Sequence, residues 1–117
     1  MLVVMEDLDV YKLAYQLVLK IYKIAEKYPS DEKFGLKSQI QRAAVSIVSN
    51  LSEGGARITD GEQKQFMGHA RGSLVELRTQ IWLSRDLGFI SKEDSENILN
   101  DIERIKMMIN GLLKTLK

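Results

Sequence analysis

The chain has 117 residues, 44% of them apolar and 28% charged, with one proline and no cysteine. That length sustains one hydrophobic core, and the composition is too apolar for a disordered chain. The missing cysteines exclude disulfides and thiolate metal sites, while 17 basic against 16 acidic residues leave a formal charge of only +1.

Charge is balanced along the chain as well, with eight basic and eight acidic residues up to position 60, then nine and eight. Any basic surface must therefore be local. The opening Met1-Leu2-Val3-Val4-Met5 has no basic start and runs into Glu6, Asp7 and Asp9, unlike a signal peptide. No apolar run approaches the ~20 residues of a membrane span. The expectation is a single cytoplasmic domain, residues 1–117, with no membrane partner.

Between about Asp7 and Lys27, the residues Val10, Ala14, Leu17, Ile21, Ile24 and Tyr28 recur in steps of four and three, the period of one helix face. Pro29 ends that helix, and Ser30-Asp31-Glu32-Lys33 with Gly35 forms a connection. Leu36, Ile40, Ala43, Ile47 and Leu51 repeat the pattern as far as Glu53-Gly54-Gly55, where the paired glycines suit a C-terminal cap. Thr59 and Glu62 have the spacing of a capping box that opens a third helix, with Phe66, Ala70, Leu74, Leu77 and Ile81 on its apolar face. Gly88 after Leu87 stops it. Ser91 with Asp94 caps the last helix, along which Ile98, Ile102, Ile105, Ile109, Leu112 and Leu116 step without interruption. Four helices on short connections, with no β alternation and no repeat, read as an all-α, up-down-up-down antiparallel four-helix bundle.

Two helices carry features beyond core packing. From Ser38 to Ser52 the second helix has one charged residue, Arg42, and opposite its core face it presents Ser38, Val45 and Ser49. A small, weakly polar outer face lets another helix approach, which reads as subunit association; the alternatives are a bland surface or a face covered by the N-terminal segment. On the third helix Lys64, Arg71, Arg78 and Arg85 recur every seven residues along one stripe roughly 30 Å long, beside Val75 and Trp82. Guanidinium groups beside an indole can meet phosphates and a stacked base; the blander reading is a solvated charge row over the core margin. His69, the single histidine, has no partner arrangement for acid–base work, and no Glu-x-x-His, His-Glu-x-x-His or phosphate-loop motif is present. Glu53 and Glu76 read as structural ion-pair members rather than a catalytic pair. The expectation is therefore a non-enzymatic protein with no metal and no cofactor.

The stretch Gln39-Ile-Gln-Arg-Ala-Ala-Val-Ser-Ile-Val-Ser-Asn-Leu-Ser-Glu-Gly54, followed by Arg57, Phe66 and Ala70-Arg-Gly-Ser-Leu-Val-Glu-Leu77, resembles the bacterial 23S rRNA intervening-sequence protein family. Asp7-Leu8, Tyr11, Pro29 and Gly35-Leu36 fit the same pattern, with Tyr11 where the family has tryptophan. The resemblance implies a four-helix bundle that assembles into a ring of five. It also implies kinship with the accessory protein of diversity-generating retroelements, which partners a reverse transcriptase and binds nucleic acid. Carried to matching positions, the family's signature residues are Gln39, Arg42, Ser46, Asn50, Glu53, Gly54, Arg57, Ser73 and Glu76. Two functions stay open: an oligomeric scaffold that binds RNA or an RNA-handling protein, using Arg57, Lys64, Arg71, Arg78 and Arg85, or a purely protein-binding homo-oligomer. The oligomer-interface candidates are Ser38, Arg42, Val45 and Ser49.

Overall fold

Local chemistry directs where several of the helices begin and end. In a computed structural model that describes residues 4–32 and 35–117, α1 spans Asp9–Ala25, α2 Leu36–Gly55, α3 Asp60–Asp86 and α4 Lys92–Thr115. Met1, Leu2 and Val3 of the opening segment, and Lys33 of the first connection, lie outside the described residues. Helix α1 is shorter at both ends than its periodicity predicts. After Ala25 the chain tightens into i→i+3 bonds, Lys27 N–H to Ile24 O at 3.0 Å and Tyr28 N–H to Ala25 O at 3.1 Å, before Pro29. At the α3 start the Thr59 hydroxyl accepts from Glu62 N–H at 3.2 Å. Glu62 answers by binding that hydroxyl at 3.0 Å rather than the Thr59 backbone, so only half of the capping box forms. Helix α3 ends with Gly88 at φ +80°, Phe89 N–H reaching Ser84 O at 2.8 Å and Gly88 N–H reaching Arg85 O at 3.1 Å. Those are the two bonds of a Schellman motif, in which glycine alone takes the left-handed turn without strain. Ser91 caps α4 through Asp94 N–H at 3.0 Å.

The helices form a closed ring in sequence order, α1 on α2, α2 on α3, α3 on α4 and α4 back on α1, and among the described residues the diagonal pairs do not bring their backbones close. Neighbours run antiparallel: Met5 before α1 meets Gly55 at the end of α2, Gly54 meets Met67 while Ser46 meets Ser73, Arg71 meets Asn110 while Arg78 meets Glu103, and Lys20 meets Asp101 while Lys27 meets Asp94. This is the up-down-up-down bundle, 43 × 24 × 20 Å. Leu17, Ile21, Ile40, Ile47, Leu51, Leu74, Leu77, Ile81, Ile98, Ile102 and Ile105 fill its axis and are fully buried.

The most extensive pairing is α2 with α3. Ala43 on one side and Ala70 on the other are small and buried, and Gly54 extends the close approach. The paired glycines do not cap α2. Both lie within the helix, and Ala56 at φ −87° follows in ordinary right-handed conformation. A Cβ on Gly54 would collide with Met67 Cε and sit 3.0 Å from Phe66 Cβ, while one on Gly55 would lie 2.5 Å from Met5 Cβ. They are spacers, Gly54 for α3 and Gly55 for the N-terminal turn. Phe66 also departs from expectation. Met67, not Phe66, enters the core, because the buried side of α3 runs Met67, Ala70, Leu74, Leu77, Ile81.

At one end of the bundle Tyr28 and Ser84 are buried together beside Phe89, and neither hydroxyl oxygen makes a well-formed hydrogen bond. Burial pushes the Tyr28 phenol above its ordinary pKa, and Ser84 opposes that rise.

Two outcomes follow. Gly54→Ala should lower stability by about 1–3 kcal/mol in urea denaturation, because the added methyl must displace Met67 and Phe66. A phenol with a raised folded pKa contributes stability below about pH 10 that is lost as pH rises through the folded value. The urea midpoint of the wild type should therefore fall more between about pH 9 and pH 11 than that of Tyr28→Phe, which has no proton to lose there.

Candidate functional site

A helix that carries polar side chains at steps of three and four beside its core face builds a stripe along the seam with its neighbour. On α2 that stripe is Gln39, Arg42, Ser46, Asn50 and Glu53, continued by Arg57 just beyond the helix, and α3 faces it with Glu76, Ser73, His69 and Phe66. Ser46 and Ser73 join the two helices through their hydroxyls at 2.8 Å. Asn50 Nδ2 donates to Ser46 O at 2.8 Å and to Ser46 Oγ at 3.1 Å, which holds the pair in place. Arg42, Ala43, Ser46, Ser73 and Glu76 line a shallow groove of about 210 Å³. Beyond it Glu76 accepts from Gln80 Nε2 at 3.1 Å. The fold thus gathers Arg42, Ser46, Asn50, Ser73 and Glu76 into one polar seam, with Gln39 exposed one turn before Arg42.

Glu53 and Arg57 close the other end. The Arg57 guanidinium lies 3.6 Å from Glu53 and 3.9 Å from Glu62, and stacks over the Phe66 ring at 4.6 Å. Two carboxylates and an aromatic face thus occupy the arginine at the α3 start. Gln63, buried beneath, donates to Arg57 O at 3.0 Å and fixes the turn between the helices. His69 is exposed and meets Phe66 edge-on at 6.0 Å. Among the described residues no three His, Asp or Glu side chains converge to hold a metal.

On the outer side of α2, Arg42, Val45 and Ser49 are exposed and Ser38 is half-buried. The described residues of the N-terminal segment do not cover this face: Val4, Met5 and Glu6 lie against Ser52, Gly55 and Ala56, at the far end of the helix. On the outer side of helix α3 lie Gly68 and Gly72, where an added Cβ would meet nothing within 4 Å, while Val75 and Trp82, each 40% exposed, stand beside the Arg71 and Arg78 row that faces α4. Two glycines in the middle of a long helix cost about 1 kcal/mol each relative to alanine. Among the described residues nothing uses the space they leave, unlike that beside Gly54. The Gly68-x-x-x-Gly72 spacing was visible in the sequence and is the signal that a reading centred on charges passes over.

The heptad row on α3 faces α4 and is not uniform. Arg78 is half-buried, 3.6 Å from Glu103 and 5.1 Å from the Trp82 centroid, and Arg85 binds Asp86 at 3.0 Å. Arg71 donates to Asn110 Oδ1 at 2.9 Å, and neither it nor Lys64 pairs with a carboxylate among the described residues.

The family model for the 23S rRNA-intervening sequence protein matches residues 6–111. A crystal structure of a protein of unknown function from the S23 ribosomal protein family of Bacteroides thetaiotaomicron VPI-5482 superposes with a TM-score of 0.81. It is 21% identical, over 90% of this chain and 98% of that one. At that identity the likeness shows the fold alone. No curated protein matches the chain.

With the two serine hydroxyls bonded directly, a double-mutant cycle of Ser46→Ala and Ser73→Ala should return a coupling of about 0.5–1.5 kcal/mol in urea denaturation. A coupling indistinguishable from zero would show that they do not meet.

Proposed function

The chain belongs to the 23S rRNA-intervening sequence protein family, and from that premise we propose that it is a non-enzymatic homo-oligomeric scaffold that binds RNA or an RNA-handling protein. The observation that carries this reading is the outer surface of the α2–α3 hairpin. Val45 and Leu83 are exposed there, Gly68 and Gly72 lay backbone open, and charge is sparse between Ser38 and Ser52. Apolar side chains beside bare helix backbone are what a second helix packs against, and a homo-oligomer supplies one at fixed geometry. A ring of five, which the family resemblance implies, would use this surface once or twice per subunit. The polar side chains of the seam support a scaffold rather than a catalyst, since Ser46, Asn50, Ser73, Arg57 and Glu76 are engaged with one another or with close neighbours. His69 meets the Phe66 ring edge-on and pairs with no carboxylate among the described residues.

The second reading, a purely protein-binding oligomer, draws on the row along α3, where Arg78 and Arg85 are balanced by Glu103 and Asp86. A salt-dependent gain of affinity for structured RNA would favour the first reading.

Sedimentation at about 10 µM should show an oligomer, the pentamer foremost, and a monomer there would end the scaffold reading. Val45→Glu should weaken assembly at least ~100-fold, equivalent to about 3 kcal/mol, because association would bury an unpaired carboxylate.

A further inference from the structure

Charge in this nearly neutral protein is sorted by seam. Along the outer edge where α3 meets α4 stand the cations Lys64, Arg71, Arg78, Arg85, Lys92, Lys106, Lys114 and Lys117, against the carboxylates of Asp60, Asp86, Glu96 and Glu103. Most of the carboxylate stands at one end. Glu103 lies 3.6 Å from Arg78 and 3.7 Å from Lys106, and Asp86 binds its neighbour Arg85. At the other end, towards the α3 start, Asp60 accepts from Lys117 N–H at 2.9 Å. Lys64, Arg71 and Lys114 pair with no carboxylate among the described residues.

Two of those cations, Arg71 and Lys114, line one open cleft of about 440 Å³ together with Asn110 and Leu113. Asn110 Oδ1 takes Arg71 Nη1 at 2.9 Å and so aims the guanidinium with a neutral partner, leaving its charge uncompensated. The Asn110 amide Nδ2 makes no hydrogen bond among the described residues and adds a donor of its own. Lys64 stands one heptad from Arg71, about 10 Å along α3. The lysines of α1 form a contrasting groove with Asp94 and Asn97: Lys20 is bound to Asp101 at 2.8 Å and Lys27 lies 3.8 Å from Asp94.

We propose that the Arg71–Asn110–Lys114 cleft, extended by Lys64, holds the phosphodiester backbone of RNA. An oriented guanidinium and an amide donor meet phosphate oxygens, two ammonium groups follow the strand on either side, and Leu113 gives the sugar an apolar floor. No base edge is read in such a site, so binding is independent of sequence. The inference rests on the RNA-binding branch of the scaffold reading. It moves the RNA away from Arg78, Arg85 and Arg57, whose charges the fold already occupies, and onto α4. Repetition around an oligomer multiplies a weak site into a useful one.

The test is a salt titration of the full chain on a labelled single-stranded RNA, between about 50 and 200 mM salt. Lys64→Gln/Arg71→Gln/Lys114→Gln should flatten the slope of log affinity against log salt by about 2 units, at ~0.7 for each phosphate no longer neutralised, and weaken binding at least ~10-fold at low salt. Lys12→Gln/Lys23→Gln/Lys27→Gln changes net charge equally on α1 and should move the slope by less than ~0.7, the share of a single phosphate. Lys64→Gln/Lys114→Gln, which leaves the Arg71–Asn110 bond intact, should flatten it by about 1.4 units and serves if the triple variant folds poorly. Equal flattening in the two triple variants, an unchanged slope in the cleft variant, or no RNA binding by the wild type would each overturn the proposal. Light scattering on the same samples separates this failure from that of the scaffold. Slopes are compared per chain, so an assembled protein with equal slopes rejects the cleft alone, and a monomeric one rejects the scaffold alone.

Discussion

The structure depends on how closely α2 and α3 approach. Ala43 and Gly54 on one helix and Ala70 on the other remove the bulk that would hold the axes apart, and Met67 fills the space beside Gly54. Dispersion between closely packed backbones replaces part of what long side chains supply elsewhere in the core. The close approach also decides what the surface looks like. Two serine hydroxyls can bond directly across the seam at 2.8 Å only where the helices are near, and a polar stripe that would otherwise be solvated becomes an inter-helix network.

The remaining pairings are looser and are settled by longer side chains. Between α1 and α4, the least extensive pairing of the ring, Lys20 reaches Asp101 at 2.8 Å and Asn97 at 3.1 Å. Asp101 is nearly buried, so this pair matters more for avoiding an unpaired carboxylate than for its own attraction. Between α3 and α4 the arginines do similar work at the rim, and Arg78 packs its stem along the core while Trp82 and Glu103 hold its head. A cationic row in sequence thus becomes, in space, a margin whose charge is compensated at one end and exposed at the other.

The outer faces differ in character. That of α2 is sparse in charge between Ser38 and Ser52, a composition that suits a protein neighbour. The α4 edge of α3 carries cations without carboxylate partners among the described residues, with Val75 and Trp82 beside them, and suits an anionic one.

Much of this was legible along the chain. The four apolar periods, the Thr59 and Ser91 caps and the Gly88 stop follow from residues within one turn of each other, so local sequence specifies them without reference to the rest of the fold. What remained hidden depends on how one helix is rotated and shifted against another. Whether Phe66 or Met67 enters the core is a matter of one residue, ~100° of rotation, and both are apolar; the position of α2 decides it. The glycines after Glu53 look like a cap in sequence and are spacers in space, because only the partner helix shows what a Cβ would strike. The row Lys64, Arg71, Arg78, Arg85 is regular in sequence, yet its members differ in charge balance, because α4 sets Glu103 beside one arginine and Asn110 beside another. Periodicity records the face a helix turns inward, and the tertiary structure alone decides which side chain stands opposite.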